Sequence, residues 1–177
     1  MARFGEEAWQ KIRQAAGIEE EVFLSNESYP DAMTYRLVGA ASQVLGLSAN
    51  DVLEAFGDHW VSKTAQEGYG SMMDVCGRTL PDFLRNLDNL HTRVNLIFPK
   101  LRPPGFTVSD ETPTSLVLHY ESHREGLTSF VVGLLKGLGR KFKTPVTVTL
   151  IAPRAPGSQK ESFLVEWAAS ETAVPAA

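Results

Sequence analysis

One histidine, His91, stands where a side chain could bind a metal ion from inside a helix. It falls in the run FLRNLDNLHTRVNLIF, four residues after Leu87 and three before Val94, on the apolar face of a predicted helix. A neutral imidazole on a buried face is a good ligand for iron or zinc. The position equally suits a core histidine hydrogen-bonded to a backbone carbonyl. Spacing alone does not choose between these two interpretations.

A second candidate group is the run YESHR, which contains Tyr120, Ser122 and Arg124. If a strand continues to Arg124, the three side chains project from one face at intervals of about 6.6 Å. A phenol, a hydroxyl and a guanidinium together offer hydrogen-bond donors without negative charge, which suits a carboxylate or a phosphate. The alternative is a strand whose tyrosine packs inward and whose terminal arginine reaches solvent.

Other residue patterns indicate structure rather than chemistry. On a strand, His119 and His123 would lie about 13 Å apart, too far to share one metal ion. The single cysteine, Cys76, excludes an internal disulfide and is typical of a small buried apolar residue. The sequence also lacks the motifs of common hydrolases, P-loop NTPases and dinucleotide-binding proteins.

Helices are expected to form the first part of the chain. Apolar residues recur at helical spacing in residues 6–15, 31–45 and 48–61, and Ser48 is a predicted N-cap. The glycine-rich stretch 68–77 is interpreted as a short helix and a turn. Pro81 suits the first turn of a long helix over 81–98, which would carry His91.

A mixed region is expected after the rigid loop at Pro103 and Pro104. Strands are predicted over 115–122, 145–151 and 162–168, and a helix over 127–138 lies between the first two. The class is therefore α+β, with helices first and then an antiparallel sheet that has one inserted helix. Residues 169–177 are predicted to be a frayed tail.

Composition limits the possible partners and locations. A chain of 177 residues that is 43% apolar is long enough for one domain with a core. A net charge of −4 argues against non-specific binding to nucleic acid or to an anionic membrane surface. We find no signal peptide and no apolar stretch of the roughly 20 residues that a membrane span needs. The expected location is the cytoplasm.

Several segments together resemble one protein family. The runs NLDNLH, FPKLRPPGF and LHYESHREGL, in this order, resemble the H-NOX family of haem–nitric oxide/oxygen binding domains, which includes the sensor domain of soluble guanylate cyclase. The runs LVGAASQVLG, AFGDHW and QEGYG are similar as well, so the resemblance extends from about Gly5 to Trp167. The Y-x-S-x-R motif is weak alone, and its place after a histidine-bearing helix and a proline loop makes it specific.

The resemblance implies a fold in which haem b is buried between the helical part and the sheet. It implies that His91 is the proximal ligand of the iron, and that Tyr120, Ser122 and Arg124 bind the haem propionates. In the family, a proline of the double-proline loop presses on the macrocycle and distorts it, and Pro104 is the matching position. Distortion of the ring is one way in which a protein tunes haem.

The resemblance also predicts which gas is bound. Family members that hold oxygen have a distal tyrosine, and the matching position here is Phe130, which has no hydroxyl. Trp60 and Leu134 are expected in the same distal pocket, although the indole N–H of Trp60 is able to donate a hydrogen bond. We therefore expect nitric oxide to bind a five-coordinate ferrous haem, with carbon monoxide as a further ligand.

The function implied by the resemblance is a gas sensor and not an enzyme. Its output would pass to a separate protein, which for stand-alone bacterial members is commonly a histidine kinase or a cyclic-di-GMP enzyme. Family members usually begin with an additional amphipathic helix, so residues 1–177 are expected to form a single domain without that first helix. The alternative function is a haem-free interaction module that keeps the fold.

Overall fold

The computed structural model describes residues 5–19, 23, 29–99 and 101–169. The predicted tail at 169–177 therefore lies outside the described residues except for its first position. No helix in the described part of the chain is long and apolar enough to cross a membrane. The helices are α1 (Gly5–Ala16), α2 (Asp31–Leu45), α3 (Ala49–His59), α4 (Gln66–Val75), α5 (Leu80–Arg85), α6 (Leu87–Ile97) and α7 (Thr128–Lys141), and the strands are β1 (Gly105–Thr112), β2 (Ser115–Glu121), β3 (Val146–Ala152) and β4 (Lys160–Trp167).

The first two helices, α1 and α2, pack on each other around a small apolar cluster of their own. Helix α2 has the bounds that its periodicity predicts, and it ends because Gly46 adopts the left-handed conformation (φ 64°) that favours glycine. The buried members of this cluster are Ile12, Ala16, Ile18, Met33, Ala40 and Ala41.

Helices α3 and α4 form one continuous helical rod that contains a π-helical segment at Trp60–Ala65. Ser48 caps α3 as predicted, because its hydroxyl accepts a hydrogen bond from the Asp51 amide at 3.1 Å. The expected short helix and turn at 68–77 is only partly correct, since the helix runs through Val75. Burial of Gly70 and Met73 outweighs the low helix propensity of the glycines, about 1 kcal/mol each.

The helix predicted over 81–98 is divided into α5 and α6 by Asn86, so the prediction of one long helix is wrong. Asn86 has φ −97° and ψ 5°, and its side-chain amide donates to the Asp82 carbonyl at 3.0 Å. Such local side-chain bonds compete with helical hydrogen bonding. His91 therefore lies on a separate helix of 11 residues.

The four strands form one antiparallel sheet in the order β1-β2-β4-β3. The three predicted strands are present, whereas β1 was not predicted. Strand β2 ends at Glu121, which lies opposite Gly105 of β1 and Lys160 of β4, the first residues of both neighbours. The condition for one shared face of Tyr120, Ser122 and Arg124, a strand that continues to Arg124, is therefore not met. Pro103 and Pro104 cannot extend β1 to pair with it, because proline has no N–H to donate.

Helix α7 crosses α3 at a distance set by glycines. A Cβ atom on Gly133 would overlap the Glu54 carbonyl, and one on Gly57 would overlap the Phe130 carbonyl. The π-helical segment, the helices from α4 to α7 and one face of the sheet share the main core, which confirms the α+β class. Its fully buried side chains are Leu80, Phe83, Leu84, Leu116, Leu118, Val131, Phe163 and Val165.

Candidate functional site

One ring nitrogen of His91 is fixed by a hydrogen bond to the backbone. Its Nδ1 lies 2.9 Å from the Pro104 carbonyl oxygen, which can only accept, so Nδ1 carries the proton. Within the described part of the chain, no hydrogen bond engages Nε2. A backbone carbonyl on one ring nitrogen is how proteins orient histidines that bind a metal through the other nitrogen. The same bond also satisfies a core histidine, so geometry alone leaves both interpretations in place.

The environment of His91 favours the neutral imidazole. Burial lowers the pKa of His91, and the hydrogen bond to Pro104 and the charge of Asp88 oppose this effect. The neutral ring is the form that binds metals, because protonation would occupy the lone pair of Nε2.

Phe106 lies between the two groups that the sequence singled out. Its ring centroid is 5.4 Å from that of His91 and 5.4 Å from that of Tyr120. The His91 imidazole and the start of the Y-x-S-x-R run are thus neighbours on one side of the sheet. The structure brings together residues that are far apart in the sequence.

Tyr120 is held as a neutral phenol in the core. Only 3% of the residue is exposed, and it lies in β2 opposite Phe106 and Glu161. Burial raises the pKa of Tyr120, while a hydrogen bond with Ser122 acts in the opposite direction. The phenol therefore keeps its proton and remains a hydrogen-bond donor at neutral pH.

Ser122 and Arg124 lie on the loop after β2 rather than on a strand face. The Ser122 hydroxyl accepts from the Arg124 amide at 3.1 Å. Arg124 Nε is 2.6 Å from Asp31 Oδ1, and Nη2 donates to Thr34 Oγ1 at 3.2 Å. Asp31 is therefore the ionic partner of the Arg124 guanidinium. Arg124 does not simply reach solvent.

The expected distal residues lie where α3 and α7 cross. Trp60 opens the π-helical segment and stacks on Tyr69, which in turn contacts Phe98 directly after the helix of His91. Leu134 packs against the main core, as Trp60 does. Phe130 instead contacts the half-exposed Phe56, with ring centroids 5.3 Å apart.

The other histidine of β2, His119, is engaged by serines. Its Nε2 lies 2.8 Å from the Ser109 hydroxyl, and its Nδ1 lies 2.8 Å from the Ser162 hydroxyl. Both ring nitrogens are thus used to join β1, β2 and β4. This network on the sheet was not predicted.

Sequence reasoning missed the residues that support the candidate site from other elements. These are the Pro104 carbonyl, Asp31 and Thr34 on α2, and Arg154 between β3 and β4. Each acts across a long separation in sequence or through the backbone, so residue type and local spacing carry no signal of it.

Comparison with known proteins gives a consistent result. A family model described as haem-NO-binding matches residues 1–150. Soluble guanylate cyclase gcy-31 of Caenorhabditis elegans is 29% identical over 150 residues, which are 84% of this chain and 21% of that protein. Soluble guanylate cyclase 89Db of Drosophila melanogaster is 27% identical over 139 residues, which are 78% of this chain and 21% of that protein. The chain thus spans about a fifth of the length of these relatives.

Solved structures show the same fold. The Fe(II) unliganded H-NOX protein from K. algicida superposes with a TM-score of 0.81 at 23% identity, and 97% of this chain and 92% of that chain are covered. The H-NOX protein from S. oneidensis in the Fe(II)NO state gives 0.81 at 19% identity, with 94% and 92% covered.

The match settles what kind of domain these residues form. It confirms the resemblance seen in the sequence, and the matched family is a binding family rather than a catalytic one. Because its model covers residues 1–150 of the 177, the chain belongs to the haem-NO-binding, or H-NOX, family.

Proposed function

We propose that this chain is a haem-based gas sensor that binds nitric oxide, with haem b held through Nε2 of His91. The observation that carries the proposal is the bond from His91 Nδ1 to the Pro104 carbonyl, which leaves a neutral imidazole whose Nε2 has no hydrogen bond among the described residues. When bound, haem would supply an iron atom that takes up a diatomic gas. Membership of the haem-NO-binding family supports the same assignment.

The hydrogen-bond donors Tyr120, Ser122 and Arg124 suit the carboxylate groups of a haem. Tyr120 offers a neutral phenol, Ser122 a hydroxyl, and Arg124 a guanidinium whose Nε is paired with Asp31. A carboxylate is the partner that this set suits, because all three side chains can donate and the arginine adds positive charge. We propose that these residues bind the two haem propionates.

The side chains on the α3–α7 side favour nitric oxide over oxygen. Phe130 and Leu134 have no polar atom to donate to a bound gas, and Trp60 has only its indole N–H. Bound oxygen carries partial negative charge and needs a donor, whereas nitric oxide and carbon monoxide do not. The H-NOX protein from S. oneidensis, which shares this fold, has been solved in the Fe(II)NO state.

The route of the signal would begin at α6. This helix is separate from α5, and Leu96 and Ile97 near its end are 78% and 57% exposed. His91 connects α6 to Pro104, which we propose also presses on the haem, and Pro104 directly precedes β1. A shift of His91 would therefore move both elements. We propose that a separate histidine kinase or cyclic-di-GMP enzyme reads this change.

The decisive experiment replaces His91 with glycine. The protein is produced with a haem precursor, and absorption spectra are recorded after reduction and after nitric oxide addition. We expect the wild-type protein to show a five-coordinate, histidine-ligated ferrous haem that responds to nitric oxide. His91→Gly should lose this spectrum, and added imidazole should restore it, because the free base replaces the missing ring.

The matched control is His123→Ala, which removes an exposed imidazole from the loop after β2 without the added backbone freedom of glycine. It should keep the wild-type spectrum. An unchanged spectrum in His91→Gly would refute the ligand assignment. A colourless wild-type protein despite ample haem would favour the haem-free interaction module instead.

A further inference from the structure

The backbone around Ser122 and Arg124 has lost the support of the sheet. Strand β2 ends at Glu121, where the ladders to both neighbouring strands also stop. Ser122 is nevertheless buried, with 6% of the residue exposed. Buried backbone N–H and C=O groups need hydrogen-bond partners, so something other than a strand must satisfy this stretch.

The loop between β3 and β4 supplies those partners. Arg154 Nη2 donates to the Ser122 carbonyl at 2.8 Å and to the Arg124 carbonyl at 2.9 Å. The Ser122 amide donates to the Gln159 carbonyl at 2.9 Å. One guanidinium nitrogen and one backbone carbonyl thus take the place of a strand neighbour.

A guanidinium suits this task better than other side chains. Its planar nitrogen holds two N–H groups in fixed directions, one for each of two carbonyls that lie two residues apart. Its positive charge makes both hydrogen bonds stronger than neutral ones. A half-buried arginine in a short loop can hold the backbone in one conformation without a continuous ladder.

A fixed backbone determines where the Arg124 side chain points. The carbonyls on both sides of His123 are held by Arg154, and the Arg124 amide is held by the Ser122 hydroxyl. Tyr35 adds a bond from α2 to the next carbonyl, that of Glu125, at 2.8 Å. The backbone that carries Ser122 and Arg124 therefore has little conformational freedom.

We propose that Arg154 is a positioning residue for the binding of the haem propionates. The inference rests on the proposed function, because it assigns Arg154 a role toward the same group. Arg154 acts through the backbone of Ser122 and Arg124 and leaves the His91 side of the site unchanged.

The test compares two cofactors in the variant Arg154→Gln. One is haem, and the other is haem dimethyl ester, whose acids are blocked. We expect Arg154→Gln to bind haem about tenfold more weakly than the wild type and to bind the ester with roughly unchanged affinity, as for other residues that orient a ligand-binding shell. The control Lys160→Gln removes a positive charge from the exposed start of β4 and should change neither affinity.

Equal weakening for both cofactors, or no weakening for haem, would overturn the proposal, because the role would then be general or absent. Arg154→Lys provides a second variant that keeps the charge but not the planar fork, and it should fall between wild type and Arg154→Gln.

Hydrogen exchange in the haem-free protein separates this proposal from the proposed function. The amides of Ser122 and Arg124 should exchange faster in Arg154→Gln than in the wild type, and unchanged exchange would overturn the positioning role. A wild-type protein that binds neither cofactor would refute the haem assignment and leave the exchange result to decide the role of Arg154.

Discussion

The crossing of α3 and α7 and the loop after β2 are both parts of the candidate site, yet different contacts hold them. At the crossing, backbone lies directly on backbone, since Gly57 and Gly133 leave no room for a Cβ atom. In the loop, side chains from other elements bind backbone carbonyls and the Arg124 guanidinium. The crossing depends on two glycines that have no side chain, and the loop depends on polar side chains from other elements.

Because of this difference, we expect the crossing to matter for folding stability and the loop to matter for ligand binding. Close backbone packing excludes water, gains dispersion contacts and tolerates no added volume. Partly exposed ion pairs and hydrogen bonds contribute less to stability, and they fix the direction of donors. We therefore expect substitutions at the crossing to change the free energy of unfolding, and substitutions in the loop to change the affinity for haem.

The largest effect is expected for Gly133→Ala. The new methyl group would overlap the Glu54 carbonyl, so α3 and α7 must separate. Overpacking should lower the free energy of unfolding by about 3 kcal/mol, measured by urea denaturation. Gly39→Ala in α2 is the control, because nothing lies within 4 Å of its Cβ position, and it should stabilise by up to about 1 kcal/mol. Equal stability of the two variants would contradict the role given to the crossing.

Arg124→Gln tests the loop after β2. The Arg124 and Asp31 side chains are 32% and 40% exposed, so loss of their ion pair should cost at most about 1 kcal/mol of stability. Loss of the cationic donor should weaken haem retention by about tenfold, by analogy with residues that support a metal site. Haem transfer to a strong acceptor protein measures this change. Arg36→Gln, an exposed arginine of α2, should behave as wild type.

His119→Gln tests how much the titration of His119 contributes to the pH dependence of stability. Burial, with a smaller effect from Lys160, lowers the pKa of His119 from its usual 6.5, and Asp110 opposes this. The unfolded chain therefore takes up a proton first as the pH falls, and stability declines from about pH 6.5 downward. Urea unfolding at about pH 7.5 and 5 should show a smaller decline in His119→Gln, because glutamine can replace the serine bonds without titrating.

Lys160→Gln provides a second arm of this test. Removal of its charge should raise the pKa of His119 and reduce the decline in the same direction, by less than His119→Gln does. Part of the decline should remain in both variants, since burial also lowers the pKa of His59 and His91. If the stability of His119→Gln declines with falling pH as steeply as that of the wild type, His119 contributes nothing to this pH dependence.

The smallest structural change is Phe130→Tyr at the crossing. Phe130 is only partly buried beside Phe56, so the added hydroxyl should alter stability by about 0.5 kcal/mol or less. If Phe130 faces the bound gas, the hydroxyl donates to oxygen, and air should shift the Soret band of the ferrous protein. Absence of any oxygenated spectrum would indicate that another residue occupies that position.

Local patterns in the sequence predicted the long helices well. Helix α2 has a complete apolar stripe and a glycine at its end, and its bounds were predicted without error. Strand β1 was missed because Phe106 is its only buried residue, so alternation is weak. The break at Asn86 was missed because apolar spacing continues across it, while the side-chain bond to Asp82 leaves no mark in that spacing.

The candidate site was predictable in its residue types but not in its arrangement. An imidazole and three donors became candidates because their chemistry is visible in single residues and short spacings, whereas their assignment to haem came from the family resemblance. The end of β2 at Glu121 depends on where both neighbouring strands begin, which is a property of the whole sheet. Contacts such as those of Arg154 and Asp31 are set by tertiary structure, and a single sequence does not encode them in any local pattern.

The bond between His91 and Pro104 has a consequence for how the ring nitrogen is aimed. The acceptor is a main-chain carbonyl, so every amino acid at position 104 would offer the same oxygen. What proline adds is stiffness, since its pyrrolidine ring restricts φ. The orientation of the imidazole thus depends on the stiffness of the loop before β1. A more flexible residue at position 104 would let the His91 ring adopt several orientations, although every polar atom would still be present.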